Sequence, residues 1–284
     1  MRVGAGPPPR AGAATALAES PREEPSLARI LLGIDFGVPS VRSLEWVAEY
    51  LAPLAALHLV YVLDPEAGHP GAGGRERIAD ALVARRAGQA AEHLADLARG
   101  VSAWRCSTEV RVGAPDQELA NAAREWGAEL VSIGPHTHPG GARRGLGSTA
   151  ERLLACSPVP VILAAHVRLS SPERVIAAVH DSRSAATVLA WANHVARELR
   201  AELGVVRLRP PGGAGREGMS GRLGTRVLER LQGEGGDLLI LGSHVERSPR
   251  SLLESTVRTV LAAPPCPVLL VSNAPCRRRE AETV

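Results

Sequence analysis

Residues 30–34 read Ile-Leu-Leu-Gly-Ile, a nearly unbroken apolar run of the kind found in parallel strands buried on both faces. After it, Leu44, Val47, Leu51 and Leu54 recur at helical spacing. A second apolar run covers 57–63, a Gly- and Pro-rich loop covers 68–74, and a helical pattern extends over 75–99. Residues 107–112 alternate as a strand. Gly113-Ala114-Pro115 then opens a helix to Trp126, with the proline suited to a first helical turn. An apolar strand at 130–133, a Gly-rich loop, a helix from Ser148 and a last strand at 159–163 complete the series. Strands alternating with helices predict an α/β fold, a doubly wound, Rossmann-like parallel sheet of order 3-2-1-4-5.

The series then repeats. Arg29-Ile-Leu-Leu-Gly-Ile-Asp35 is echoed by Arg174-Val-Ile-Ala-Ala-Val-His-Asp181, and each is followed by a helix carrying a tryptophan, Trp46 or Trp191. Glu129-Leu-Val-Ser-Ile-Gly134 is matched by Asp237-Leu-Leu-Ile-Leu-Gly242, and Pro158-Val-Pro-Val-Ile-Leu163 by Pro265-Cys-Pro-Val-Leu-Leu270. A repeat of this period implies two homologous domains in tandem. The expected boundaries are a disordered leader at 1–27, a first domain at 28–166, a second at 173–273 and a tail at 274–284. Strands of the second copy are expected at 175–179, 203–208, 238–241 and 268–271. From Asp35 to Gly134 the chain advances 99 residues, but from Asp181 to Gly242 only 61, so the second copy is 38 residues shorter. The missing part corresponds to the long helix and the third strand, and residues 210–220 read as a loop in their place. Because a third strand in this order is an edge, its loss leaves the central pairing intact.

Composition narrows the function classes. At 284 residues with 45% apolar content the chain suits two ordinary domains, and only 2% aromatics leaves the cores to Leu, Val, Ala and Ile. All 33 basic residues are Arg, the net charge is +3, and the charges are interspersed, which excludes the concentrated basic face of a nucleic-acid binder. The basic run Arg277-Arg278-Arg279 reads as a solvated tail. Cys106, Cys156, Cys266 and Cys276 form no metal-spaced pair and fit a reducing, cytoplasmic setting. No stretch approaches the roughly 20 apolar residues of a membrane span, and the leader lacks a signal-peptide run.

Both halves resemble universal stress protein domains, and the whole resembles a tandem member of that family. The resemblance rests on Asp35 and Asp181 at strand ends, the Val112-Gly113-Ala114-Pro115 turn, the Leu-Val-x-Ile-Gly strand end and the closing Pro-Val-Pro-Val-Ile-Leu strand. It implies domains that pair through their last strands, here within one chain, with homo-oligomerisation left open. Nucleotide-binding members carry Gly-x2-Gly-x9-Gly-Ser/Thr. The first copy has Gly134, Thr137 and Gly147-Ser148-Thr149 at that spacing, with Thr137 standing where the second Gly belongs. Gly147 would open a helix whose free N–H groups attract anions, with Ser148 as its cap, and Arg143 and Arg144 add positive charge. The resemblance further implies that Asp35 contacts the adenosine end of ATP, accompanied by Mg²⁺ where a metal is used, and that Val62 offers backbone groups to the base. In the second copy Val245 and Glu254 replace glycines, so ATP is expected in the first domain only.

Plainer readings stand beside these. Asp35 also suits a helix cap, Arg143 and Arg144 a solvated loop, and Trp46 and Trp191 helix-face packing. His136 and His138 lack further ligands at metal spacing. Ser148 and Ser182 sit in no nucleophile elbow, so no catalytic residue and no metal site is assigned. Three function classes follow: an ATP-binding cytoplasmic regulator acting as a conformational sensor with a protein partner, a nucleotide-free interaction module, and an ATP-hydrolysing or adenylyl-transferring enzyme.

Overall fold

In the computed structural model the apolar runs become, among the described residues, nine strands of one sheet. The structure describes residues 25–64, 80–101, 105–134, 147–180, 185–208, 216–243 and 255–272. The strands are β1 (Arg29–Gly33), β2 (Ala56–Leu63), β3 (Cys106–Val112), β4 (Leu130–Ile133) and β5 (Val161–Leu163), then β6 (Arg174–His180), β7 (Glu202–Leu208), β8 (Leu238–Ser243) and β9 (Val268–Ser272). Their order is β3-β2-β1-β4-β5-β9-β8-β6-β7. Every neighbouring pair is parallel except β5 with β9, where Ile162 stands opposite Leu269 in an antiparallel register. The first half has the expected order 3-2-1-4-5, and the last strands of the two halves pair within the chain.

Among the described residues seven helices cover the sheet: α1 (Val38–Trp46), α2 (Asp80–Gly100), α3 (Pro115–Trp126), α4 (Ser148–Cys156), α5 (Ala185–Leu199), α6 (Arg216–Glu234) and α7 (Ser255–Ala262). Two buried clusters lie on opposite faces. One joins α3, α4, α6 and α7 through Leu119, Leu153, Val227 and Val260; the other joins α1, α2 and α5 through Leu44, Leu94 and Val195. Each cluster crosses the β5–β9 seam, so the two halves share both cores. Trp46 and Trp191 are buried in the second cluster as packing residues. Burial pushes the Cys266 thiol up to about 12, with the Asp237 carboxylate adding to the shift, which keeps that sulfur protonated. Among the described residues no helix is long and apolar enough to cross a membrane.

The repeat extends to single hydrogen bonds. Arg29 and Arg174 each donate a guanidinium N–H to the last carbonyl of a helix later in the chain, Trp126 in α3 and Glu234 in α6. The Glu129 carboxylate accepts the Arg29 backbone N–H at 2.9 Å, and the Asp237 carboxylate accepts that of Arg174 at 3.1 Å. Gly127 (φ 69°) and Gly235 (φ 66°) end the two helices in the left-handed conformation that glycine adopts without penalty.

Among the described residues the shorter half lacks the elements expected to be absent. There the next described element after β7 is α6, and α6 packs on α7 as α3 packs on α4, so no counterparts of α2 and β3 appear. The loop expected over 210–220 is shorter than the sequence suggests, because α6 already begins at Arg216. Gly218 and Ser220 have weak helix propensity, but the buried stripe Leu223, Val227 and Leu231 anchors the helix they lead into. Leu54 departs from its helical reading as well. The helix widens into a π-turn over Val47–Leu51, the Ala52 N–H reaches the Val47 carbonyl at 2.9 Å, and Pro53 bars continuation. Leu44, Val47 and Leu51 are buried, whereas Leu54 is 82% exposed.

Candidate functional site

The order of the sheet reverses between β1 and β4. From there the chain leaves β1 for α1 on one face and leaves β4 for α4 on the other, which opens a crevice at the carboxyl ends of the strands.

Asp35 sits on the β1 side of that crevice and is exposed. Its Oδ1 accepts the Gly37 N–H at 2.8 Å and the Ser40 hydroxyl, so the carboxylate also braces the start of α1. Between them Phe36 holds a left-handed φ of 61°. That conformation costs an L-residue about 1–2 kcal/mol. The ring contacts offset part of it: Phe36 lies 4.9 Å from Tyr61 and edge-on to His93 at 5.6 Å.

Val62 lies near the carboxyl end of β2, half-buried and opposite Arg111 of β3. The Val60 carbonyl accepts the Ile34 N–H at 2.9 Å. Strand alternation turns the Val62 backbone groups to that same side, beyond the end of β1 at Gly33.

Gly134 ends β4 against the first turn of α1. A Cβ there would stand 3.0 Å from the Ser40 nitrogen and 3.2 Å from the Pro39 carbonyl carbon, both backbone atoms. One turn further along, Ser43 and Ser132 share a buried hydroxyl–hydroxyl hydrogen bond of 2.9 Å that ties α1 to β4. Gly134→Ala is therefore expected to push α1 off β4 and lower stability by about 1–3 kcal/mol, the usual cost of overpacking. Urea unfolding checks this; an unchanged midpoint would show that α1 yields freely.

Gly147 is the N-cap of α4, in an extended conformation (φ −69°, ψ 155°), and among the described residues no side chain caps the helix. This corrects the expected role of Ser148. It is the first helical residue, exposed, and its carbonyl accepts the Arg152 Nε at 3.2 Å. Because Gly147 holds the extended cap geometry, Ser148 is already helical and one position too late to cap. Thr149 follows in the first turn. Asp35, Val62, Gly134, Gly147, Ser148 and Thr149 thus come from the carboxyl ends of β1, β2 and β4 and the amino end of α4. Thr137, Arg143 and Arg144, with His136 and His138, lie outside the described residues, as do Asp181, Ser182, Val245 and Glu254 of the second copy.

The model of the universal stress protein family matches residues 27–165. The first half of the chain belongs to the universal stress protein family. Across both halves the fold is similar to a universal stress protein from Archaeoglobus fulgidus DSM 4304, at 20% identity and TM-score 0.68, covering 87% of this chain and 99% of that one. A functionally unknown protein from Pseudomonas aeruginosa PAO1 is similar at 15% identity and TM-score 0.59, with 87% and 93% covered. Both likenesses are of fold. No curated protein matches the chain.

The universal stress protein half also holds a polar network that motif reading passed over. On β2 and β3, His58 contacts Ser107 and Glu109, and Arg111 reaches Glu109, Glu118 and Glu125. Burial pushes the Glu109 carboxyl up, but hydrogen bonds from His58 and Arg111 outweigh it and hold the group below the usual glutamate range. The only sequence signal was the alternation Ser107-x-Glu109-x-Arg111, which places three polar side chains on one face of β3.

Proposed function

We propose that the chain is a cytoplasmic regulator that binds ATP in a first domain, 28–166, and carries a second domain, 173–273, without a nucleotide. The observation that carries this is the uncapped amino end of α4 beside the crevice where the strand order reverses. Its N–H groups, capped by no side chain among the described residues, suit phosphate oxygens, and a glycine cap leaves their approach open. The residues present fit the nucleotide: Gly147, Ser148 and Thr149 would hold the phosphates with Thr137, Arg143 and Arg144 of the adjoining loop. Gly134 lies against the first turn of α1, Asp35 would be reachable by a ribose hydroxyl, and the Val62 backbone would face the base. ATP would supply phosphate charge for Gly147, Ser148, Thr149, Arg143 and Arg144 to hold, with Mg²⁺ as its counter-ion. A protein partner that prefers one loop state would then read the nucleotide, as any such switch requires differential affinity. No group at this site is assigned to bond cleavage.

A second reading, a nucleotide-free interaction module, draws on the Asp35 carboxylate already bracing α1. Calorimetric titration separates the two. Mg-ATP is expected to bind at one site per chain and AMP more weakly. Two sites would overturn the assignment of the second domain. No heat together with no thermal shift would favour the interaction module.

A further inference from the structure

At the outer edge of the first half, away from the nucleotide crevice, a serine, a histidine and a glutamate stand in a row. The parallel register sets His58 of β2 opposite Ser107 of β3, and Glu109 follows two residues along the same face. His58 is only 7% exposed, whereas Ser107 is open to solvent. His58 Nδ1 lies 2.8 Å from Ser107 Oγ, and His58 Nε2 lies 3.0 Å from Glu109 Oε2.

The carboxylate decides where the protons are. An ionised Glu109 only accepts, so Nε2 carries the ring hydrogen and donates it. Nδ1 of the neutral ring is then a lone pair, and the Ser107 hydroxyl donates to it. The alternative acceptor for that hydroxyl, the Leu57 carbonyl, is more distant at 3.4 Å. Glu109 is itself fixed, with its Oε1 3.0 Å from Arg111 Nε. Trp126 lies nearly flat on the imidazole, with ring centroids 5.1 Å apart and planes 16° apart, and Arg29 in turn sits 4.5 Å from the indole centre. The base is thus held on two strands and stacked in place. This is the nucleophile, base and orienting-acid arrangement that activates a hydroxyl.

The strand also leaves a backbone N–H beside Ser107 that is not turned toward β2. The Leu57 N–H bonds to the Arg105 carbonyl at 2.8 Å, so residues 105, 107 and 109 turn their backbone groups toward β2. Thr108 turns its N–H outward, and β3 is an edge strand with no strand beyond it among the described residues. The N–H after the nucleophile is the one that nucleophile elbows use for a developing oxyanion.

We propose that Ser107, His58 and Glu109 form an acyl-transfer relay acting on small, unhindered carboxylic esters. Ser107 Oγ bonds to the ester carbonyl carbon while its proton passes to His58 Nδ1. The ester C–O bond then breaks, and the alkoxide leaves as an alcohol carrying that proton. Water attacks the acyl-serine, gives a proton to His58, and the serine oxygen recovers it as the carboxylic acid departs. Glu109 stabilises the charged imidazole throughout. The site is exposed, which suits short acyl groups.

The test uses the full chain with 4-nitrophenyl acetate and, separately, a fluorophosphonate that phosphonylates activated serines. The expected result is one adduct on the Ser107 peptide and a protein-dependent hydrolysis rate that falls about a hundredfold in Ser107→Ala, in line with general-base contributions. Ser107 is exposed, so that variant is expected to keep the circular dichroism spectrum and melting temperature of the parent. Ser107→Cys should restore acyl transfer as a thioester visible by mass. Equal rates in the parent and Ser107→Ala, or an adduct mapped to another residue, would show that the three groups only brace the sheet edge. Neither reagent engages the nucleotide crevice, so the outcome is independent of ATP binding.

Discussion

Ile162→Ala is expected to lower the unfolding free energy of the whole chain by about 2–5 kcal/mol, the range for removing a large aliphatic side chain from a packed core, and to do so in one transition. Ile162 is fully buried on β5 and faces Leu269 across the one antiparallel pair of the sheet. Its cluster reaches α1 in the first half and α5 in the second, so a cavity there loosens the packing of both. Backbone pairing across β5–β9 further couples the halves, since neither last strand can leave without exposing its partner's edge. Urea unfolding followed by tryptophan fluorescence and far-ultraviolet circular dichroism reads the result. Two separated transitions, with only the earlier one moved by the substitution, would mean that the halves fold independently and the seam is a mere contact.

Gly147→Glu is expected to abolish the proposed ATP binding while leaving stability intact or slightly raised. The substitution carries into the first half the glutamate that the sequence repeat sets at the corresponding place, Glu254. Gly147 has φ −69° and ψ 155°, an extended geometry open to any residue, so the exchange introduces no backbone strain. A carboxylate at the amino end of α4 interacts favourably with the helix dipole by about 0.3–1 kcal/mol. The same charge repels phosphate. Two unit charges 4 Å apart at an effective dielectric of about 20 differ by about 4 kcal/mol, or roughly a thousandfold in affinity. Calorimetry and thermal melts of the same sample measure both effects. A retained affinity at unchanged stability would remove α4 from the binding site; a collapsed melting temperature would mean that Gly147 is needed for the fold itself.

Much of the architecture was legible along the chain. Unbroken apolar runs at 30–34 and 130–133 mark strands covered on both faces, because a strand with a wet face must alternate. The repeat exposed the lost third strand, and the family resemblance implied pairing of the last strands. The Pro115 turn marked the start of α3, since a proline tolerates only a first turn. Where reading failed, a local preference was overruled. Gly218 and Ser220 look like loop until the stripe from Leu223 is packed against the sheet. Leu54 keeps helical spacing on paper, yet the π-turn and Pro53 had already ended the helix.

The candidate site divides along the same line. Glycines and their spacing suggested the proposed phosphate loop through the family resemblance, because backbone approach is a property of residue type and order. That Gly147 caps α4, that Asp35 braces α1 through Ser40, and that Gly134 presses on that helix are matters of how elements meet. The Ser107–His58–Glu109 row is the clearest case, with 49 residues separating Ser107 from His58. The sequence by itself determined the series of elements, the duplication and the chemistry offered at each strand end, since these follow from periodicity and residue type over a few turns. Only the tertiary structure decided which polar groups share a proton, which strand edge stays open and which caps are made, because those depend on the register between β2 and β3 and on helix placements that no local pattern encodes.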